Sequence, residues 1–304
     1  DGPGLDRLRV AMKRVLVLGG GYAGLSAAAR LSRRGGSVSV DLIDARDAHH
    51  ALPILPDVVG RAFRPRGLRY SLQRAAARFG FTFRCETVRA IRADAPRVKT
   101  DQGTHEADAL LVATGTRTSS LGLDFVGDHA YTLDDLDEAE RLRHDLAERD
   151  WQTAVVCGGG YTGVELATAV RRWSRRQGLA RRILLVDLAP TLCPLLPEKF
   201  QEYVTRNVAS VGINVRTETS VEDAGTDWVA LSDGERIERA LLLWSVGKAA
   251  PACAQEMAAD KTKQGRLEVD PTLRLAERCF AAGDAAGFEH DGALLRMSVQ
   301  FAIT

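Results

Sequence analysis

Two glycine triplets constrain this chain more than any other feature. Each closes a short aliphatic run and opens a run of small residues: VLVLGGGYAGLSAAARL from Val15 to Leu31, and AVVCGGGYTGVELATAV from Ala154 to Val170. The likeness continues downstream, where KTDQGTHEADALLVATG ends at Gly115 and ALSDGERIERALLLWSVG ends at Gly247. Both segments read as a strand, a glycine turn, a polar strand, and a buried apolar strand stopped by glycine. One unit, β-α-β plus meander plus closing strand, therefore occurs twice. A chain of 304 residues has room for two such domains. The fold class is α/β.

The triplets carry specific chemistry. Gly19, Gly21 and Gly24 follow a strand read at Arg14–Leu18 and open a helix. In such a loop the first glycine permits a tight turn, the second lets the backbone approach a pyrophosphate, and the third lets helix and strand pack closely. The helix N-terminus offers unpaired N–H groups and partial positive charge to the anion. A second strand, Ser37 to Ile43, runs into Asp44, whose carboxylate is placed for a ribose diol. Asp41 is an alternative, but it falls inside that strand. The second loop has Gly158, Gly160 and Gly163 after a strand at Thr153–Cys157, and its next strand, Arg182 to Val186, ends at Asp187. An acid there repels a 2′-phosphate, so NADH is expected over NADPH. Tyr22 and Tyr161 stand at equivalent places in the two loops and read either as packing over the dinucleotide or as having a special role. Glu165 is read in the first turn of the second helix, either complementing the helix dipole or touching the nicotinamide end.

Elsewhere the signals are plainer. Pro53, Pro56 and Pro65 argue against a continuous helix across Asp44–Arg78, after which Ser71–Gly80 reads as a capped helix closed by glycine. Residues 171–182, RRWSRRQGLARR, read as a solvated helix end or an anionic partner surface. Lys+Arg and Asp+Glu nearly cancel, 41 against 40, so no global field marks a nucleic-acid binder. The five cysteines include no C-x-x-C pair, so neither zinc nor a local redox disulfide is signalled. Their scatter suits a reducing cytoplasm, and no run is long and apolar enough to span a membrane. Residues 1–11, before Met12, read as an extension outside the fold.

The two loops, Ala113-Thr114-Gly115, and Phe280-Ala281-Ala282-Gly283-Asp284 occur in an order that resembles the two-dinucleotide-binding flavoproteins of the pyridine nucleotide–disulfide oxidoreductase type. The resemblance covers nearly all of residues 13–304. It implies two Rossmann-like, three-layer ββα domains: an FAD domain of residues 12–115 and 248–304, with an NAD(P)H domain of residues 116–247 inserted in it. It assigns FAD to Gly19, Gly21, Tyr22, Ala23, Gly24, Asp44, Val88, Ala113, Thr114, Gly115, Gly283 and Asp284. It assigns NADH to Gly158, Gly160, Tyr161, Thr162, Gly163, Glu165, Asp187 and Gly247. Asp284 is the expected ribityl ligand, and Val88 matches the position whose backbone meets adenine.

Within that family the chain is most similar to type II NADH dehydrogenases, through LIDARDAHH, YTGVELA and LLWSVG. The likeness implies an FAD-dependent oxidoreductase that accepts a hydride from NADH and passes electrons to a quinone or another small acceptor. Glu165 and Gln300 are its catalytic candidates. No side-chain nucleophile is required, since the cofactors carry the chemistry. A dithiol relay is not expected, because the cysteine pair of the disulfide reductases is missing. The alternatives are an FAD- and NADH-binding redox sensor without turnover, or an enzyme like the sulfide–quinone reductases. The sequence departs from the type II pattern after Gly283-Asp284, where two glutamines four apart become Gln300 and Thr304. The chain stops within that expected helix. A longer form is expected to carry the dimer and membrane contacts of the family, giving a cytoplasmic homodimer peripheral on the inner face of the cell membrane.

Overall fold

The computed structural model describes residues 12–35, 37–60, 67–290, 292–295 and 297–303. The extension expected at 1–11, and Thr304, lie outside the described residues. Helices are α1 (Tyr22–Arg33), α2 (Leu55–Gly60), α3 (Leu72–Phe79), α4 (Asp124–His129), α5 (Leu136–Glu148), α6 (Tyr161–Arg176), α7 (Glu198–Ser210), α8 (Ala252–Gln255) and α9 (Val299–Ile303). None of them is long and apolar enough to cross a membrane. The chain divides into two compact units. Among the described residues, the first is drawn from Asp1–His49, Tyr70–Arg117 and Ala249–Thr304, and the second from His50–Arg69 and Thr118–Lys248.

The first unit is built on a six-stranded sheet, in the order Arg274–Ala276, Cys279–Ala281, Ala109–Val112, Lys13–Leu18, Val38–Asp44, Thr82–Cys85. All neighbours are parallel except the edge hairpin at 274–281. A parallel strand covered on both faces must be apolar on both, and Leu16, Val17 and Leu18 are fully buried. The strand register decides where the loops emerge. Leu18, last in its strand, lies opposite Ile43 and Val112, so the first glycine loop, Asp44 and Ala113 leave the sheet at the same end. Ser71 caps α3 by accepting from the Arg74 N–H, and Gly80 closes it in the left-handed region, as the sequence predicts.

The second unit repeats the plan. Its five-stranded sheet runs Ala130–Tyr131, Ala240–Trp244, Thr153–Cys157, Arg182–Val186, Asn214–Arg216, all parallel. Cys157 lies opposite Val186 and Trp244, the counterpart of the Leu18 register. Antiparallel meanders at 88–106 and 221–238 complete the likeness.

One boundary differs from the expectation. The described residues of 50–69, placed by chain order in the first domain, belong to the second unit. Among the described residues, Pro53 lies in a 3-10 turn at Leu52–Ile54 and Pro56 in the first turn of the short helix α2; Pro65 lies outside the described residues. Leu55, Val58 and Val59 bury themselves in the core that contains Leu142, Trp151, Leu166 and Val170. Leu55 is 1% exposed, so Leu55→Ala should cost about 2–5 kcal/mol. Urea unfolding followed by Trp151 and Trp173 fluorescence checks this. A loss under about 1 kcal/mol would mean that α2 is only draped on that core.

Candidate functional site

In the first unit the loop closes around its own helix start. Gly19 has φ +103, and a Cβ at Gly24 would overlap the Gly19 carbonyl oxygen. The helix can therefore approach its strand only without a side chain. Gly21 forms the N-cap of α1 with no side-chain cap and no acidic residue in the first turn. A Cβ built there meets nothing within 4 Å. That is an open, uncapped helix terminus of the kind that receives an anion. Asp44 is fixed beside it: Oδ2 accepts from Gly20 N at 2.6 Å and Oδ1 from Arg46 N at 2.8 Å. Each carboxylate oxygen keeps a further lone pair for a ribose hydroxyl. Ala113 backs Gly19, and the adjoining Thr114 Oγ1 is buried with no hydrogen-bond partner among the described residues. An orphaned buried hydroxyl at this place fits a bound polar group.

The remaining first-unit positions gather at the same sheet end. Cys85 pairs with Asp44, and Glu86 N donates to the Asp44 carbonyl, which brings the chain leading to Val88 alongside. Glu86 is itself held by Thr100 Oγ1 and His105 Nε2. A Cβ at Gly283 would lie 2.9 Å from the Ala23 side chain and 3.7 Å from that of Ala302, so the Gly283-Asp284 turn packs between α1 and α9. Gly115 sits in the left-handed region at φ +67. Gln300 is exposed on α9, which begins after Ser298 caps it with a bond from Phe301 N.

The second unit reproduces this geometry. Gly158 has φ +112, and a Cβ at Gly163 would overlap the Gly158 carbonyl. Gly160 is the uncapped N-cap of α6, again with open space at its Cβ position. Asp187 accepts from Gly159 N through Oδ2 and from Ala189 N at 2.6 Å through Oδ1. Tyr161 and Thr162 are exposed at the helix start. Gly247, at φ +70, closes the apolar strand, and its carbonyl accepts from Ser119 N. Glu165 needs a correction. The first turn of α6 holds no acid, because the helix begins at Tyr161 and Glu165 is its fifth residue. Its carboxyl stands above the usual glutamate range, first because surrounding chain withholds solvent and then because Asp57 is near.

Two residues escaped sequence reasoning. Ser245, where the first copy has Ala113, donates to the Cys157 carbonyl at 2.9 Å and lies 2.7 Å from the Gly163 Cβ position. Arg266 is 4% exposed. Its Nε donates to the Asp284 carbonyl at 3.2 Å and its Nη1 to the Leu295 carbonyl at 2.9 Å. Burial lowers its affinity for its proton, and Asp284 opposes that. Aligning the two glycine loops in the sequence would have exposed Ser245; no local pattern marks Arg266.

Other expectations resolve into structure. Asp41 is a structural acid: Arg14 Nη2 lies at 2.6 Å and Arg84 Nε at 3.0 Å from its Oδ2. Burial raises its pKa, but bonds from both arginines outweigh that and hold it below the ordinary 3.8. A folded pKa below the unfolded one adds stability that is present above pH 3.8 and fades as pH falls through the lowered value. Asp41→Asn should therefore be less stable at neutral pH and lose less on acidification. Acid unfolding curves of the two proteins check this, and parallel curves would refute it.

The arginine run reads in its blander sense. Arg171 and Arg175 bond the carbonyls of Gly212 and Val211 at the end of α7, Arg172 meets Asp57, and Arg182 meets Glu235. All five cysteines are free, and four are buried. Burial pushes the Cys157 thiol up to about 12 and the Cys279 thiol up to about 11. Neither is a thiolate at neutral pH.

Comparison with known proteins agrees with this architecture. The profile of the pyridine nucleotide-disulphide oxidoreductase family matches residues 13–303. The chain is 28% identical over 304 residues to an NADH dehydrogenase-like protein of Mycobacterium tuberculosis, covering 92% of this chain and 74% of that one. It is 28% identical over 310 residues to the demethylphylloquinone reductase of a Synechocystis strain, covering 95% and 76%. The structure of NDH2 from Plasmodium falciparum in complex with NADH superposes with a TM-score of 0.80 at 18% identity, covering 90% of this chain and 64% of that one. The chain belongs to the pyridine nucleotide–disulphide oxidoreductase family: it is an oxidoreductase with FAD and a nicotinamide dinucleotide as its cofactors.

Proposed function

We propose that this chain oxidises NADH on FAD held by the first unit and delivers the electrons to a quinone. The observation that carries the reading is the duplicated site: in each unit an uncapped helix start faces open space beside an acid fixed by loop amides. FAD, when bound, supplies the two-electron acceptor for the nicotinamide hydride. The chain itself binds and orients. The N-termini of α1 and α6 take the two pyrophosphates, and Asp44 and Asp187 take the ribose diols. Asp284 takes the ribityl chain, on a turn that Arg266 braces from behind. Thr114 Oγ1, otherwise unpartnered, gains a polar neighbour. Glu165 meets the nicotinamide ribose, and Gln300 stands toward the acceptor.

NADH is favoured over NADPH because Asp187 would face a 2′-phosphate with like charge. The quinone is supported by the likeness to the Synechocystis demethylphylloquinone reductase. The buried, protonated cysteines favour it over a mechanism that uses thiolates. Quinones are apolar, so this reading places the working protein beside a membrane.

The test is anaerobic addition of NADH to the FAD-loaded protein. The flavin absorbance should bleach, and a short-chain quinone should restore it over repeated cycles. No bleaching would end the hydride reading; bleaching without reoxidation by quinone would leave the chain as a redox sensor.

A further inference from the structure

In the first unit, a shallow cavity of about 430 Å³ opens between α1 and the end of α3. Arg30, Arg33 and Arg78 line it together with Tyr22, Tyr70 and Phe79, and no acidic residue lines it. The guanidinium carbons of Arg33 and Arg78, one from each helix, lie 4.8 Å and 5.4 Å from the centroid of the same Phe79 ring. Among the described residues, none of the three arginines has an ion-pair partner. The ends of α1 and α3 favour cations in their last turns, which explains why arginines are tolerated there. It does not explain why three of them surround one aromatic-walled hollow with no counter-charge between them.

We infer that this cavity is a binding site for small aromatic anions, a ring bearing a phosphate or a carboxylate. The two guanidiniums parked on Phe79 present donor forks that match either oxyanion. The Phe79 and Tyr70 rings and the Leu25 and Ala29 side chains offer the apolar surface for the ring. Its volume falls in the range of small-molecule sites. The cavity also touches the first glycine loop, because Tyr22, which lies in that loop, is part of its lining. Tyr22 packs edge-on to His49 at 4.6 Å, and His49 Nδ1 lies 3.0 Å from the Gly20 carbonyl.

Titration calorimetry of the purified chain, with FAD and NADH in excess, tests this using phenyl phosphate, benzoate and inorganic phosphate as probes. Phenyl phosphate should bind more tightly than inorganic phosphate. Arg33→Gln/Arg78→Gln should weaken it about tenfold. Arg30→Gln, which leaves both Phe79 contacts in place, should weaken it roughly threefold. Arg34→Gln removes the same charge from the same helix outside the cavity, and should change little. The ratio of phenyl phosphate to benzoate affinity says which oxyanion the site prefers. Equal loss in Arg34→Gln, equal affinity for inorganic phosphate, or no loss in the double variant would each overturn the proposal.

Discussion

Gly24→Ala should give a protein that no longer retains flavin, while Gly163→Ala should keep its flavin and lose reduction by NADH. The cause is the same in both units. A methyl at either position overlaps a backbone carbonyl oxygen, that of Gly19 or Gly158, and at Gly163 it also comes within 2.7 Å of Ser245 Oγ. Backbone cannot rotate aside as a side-chain tip can. The helix must lift off its strand, carrying its free N–H groups away from where a pyrophosphate would sit. Overpacking of this kind costs about 1–3 kcal/mol in a core and more where backbone is hit. Transmitted to binding, that is roughly a hundredfold or more in affinity.

Flavin content by absorbance and the rate of anaerobic reduction read the two losses separately, and circular dichroism confirms that each variant folds. Both variants behaving as the parent would remove the loops from the mechanism. The reversed pattern, with Gly24→Ala flavin-loaded but not reducible, would exchange the two cofactor assignments.

How much of this was legible in the sequence depended on how local each cause is. The cap of α3 was readable because Ser71 and Gly80 each act within one turn. The strand at Thr153–Cys157 was readable because burial on both faces demands an unbroken apolar run, and all five residues are buried. The segment 50–69 was not. Leu55, Val58 and Val59 announce that they will be buried, but not against what, and contact with α6 outweighed chain order. Arg266 shows the same limit for a charged residue. Its neighbours Lys263, Gln264 and Glu268 are polar and carry no sign of burial. Only the folded chain reveals that the guanidinium is enclosed and holds two carbonyls. Asp41 and Asp44 differ by position in the strand: Asp41, inside it, meets Arg14 and Arg84, while Asp44, at its end, turns toward the loop amides. The arginine run carried no information about partners, because carbonyls at the end of another helix leave no mark on its own sequence.

Asp187→Asn should raise KM for NADH roughly tenfold or more and leave kcat nearly unchanged, while narrowing the preference for NADH over NADPH. The carboxylate does two things at once. Inward, it accepts from Gly159 N and Ala189 N and so holds the loop shape; outward, it leaves lone pairs for a ribose diol. An amide keeps one acceptor oxygen, loses the charge, and turns an NH₂ toward donors that previously met oxygen. Hydrogen bonds to a charged group are worth about 1.5–3 kcal/mol, which converts to about tenfold or more in affinity. The lost contacts are the same before and during hydride transfer, so the effect falls on KM rather than kcat.

Removing the negative charge also removes the repulsion of a 2′-phosphate, so NADPH should lose less than NADH or gain. Asp44→Asn serves as the internal comparison. It alters the equivalent acid of the first unit and should lower flavin retention without changing the NADH to NADPH ratio. Steady-state kinetics with both nucleotides at saturating flavin decide the matter. A fall in kcat at constant KM in Asp187→Asn would mean that this acid acts on the reacting atoms rather than on the ribose.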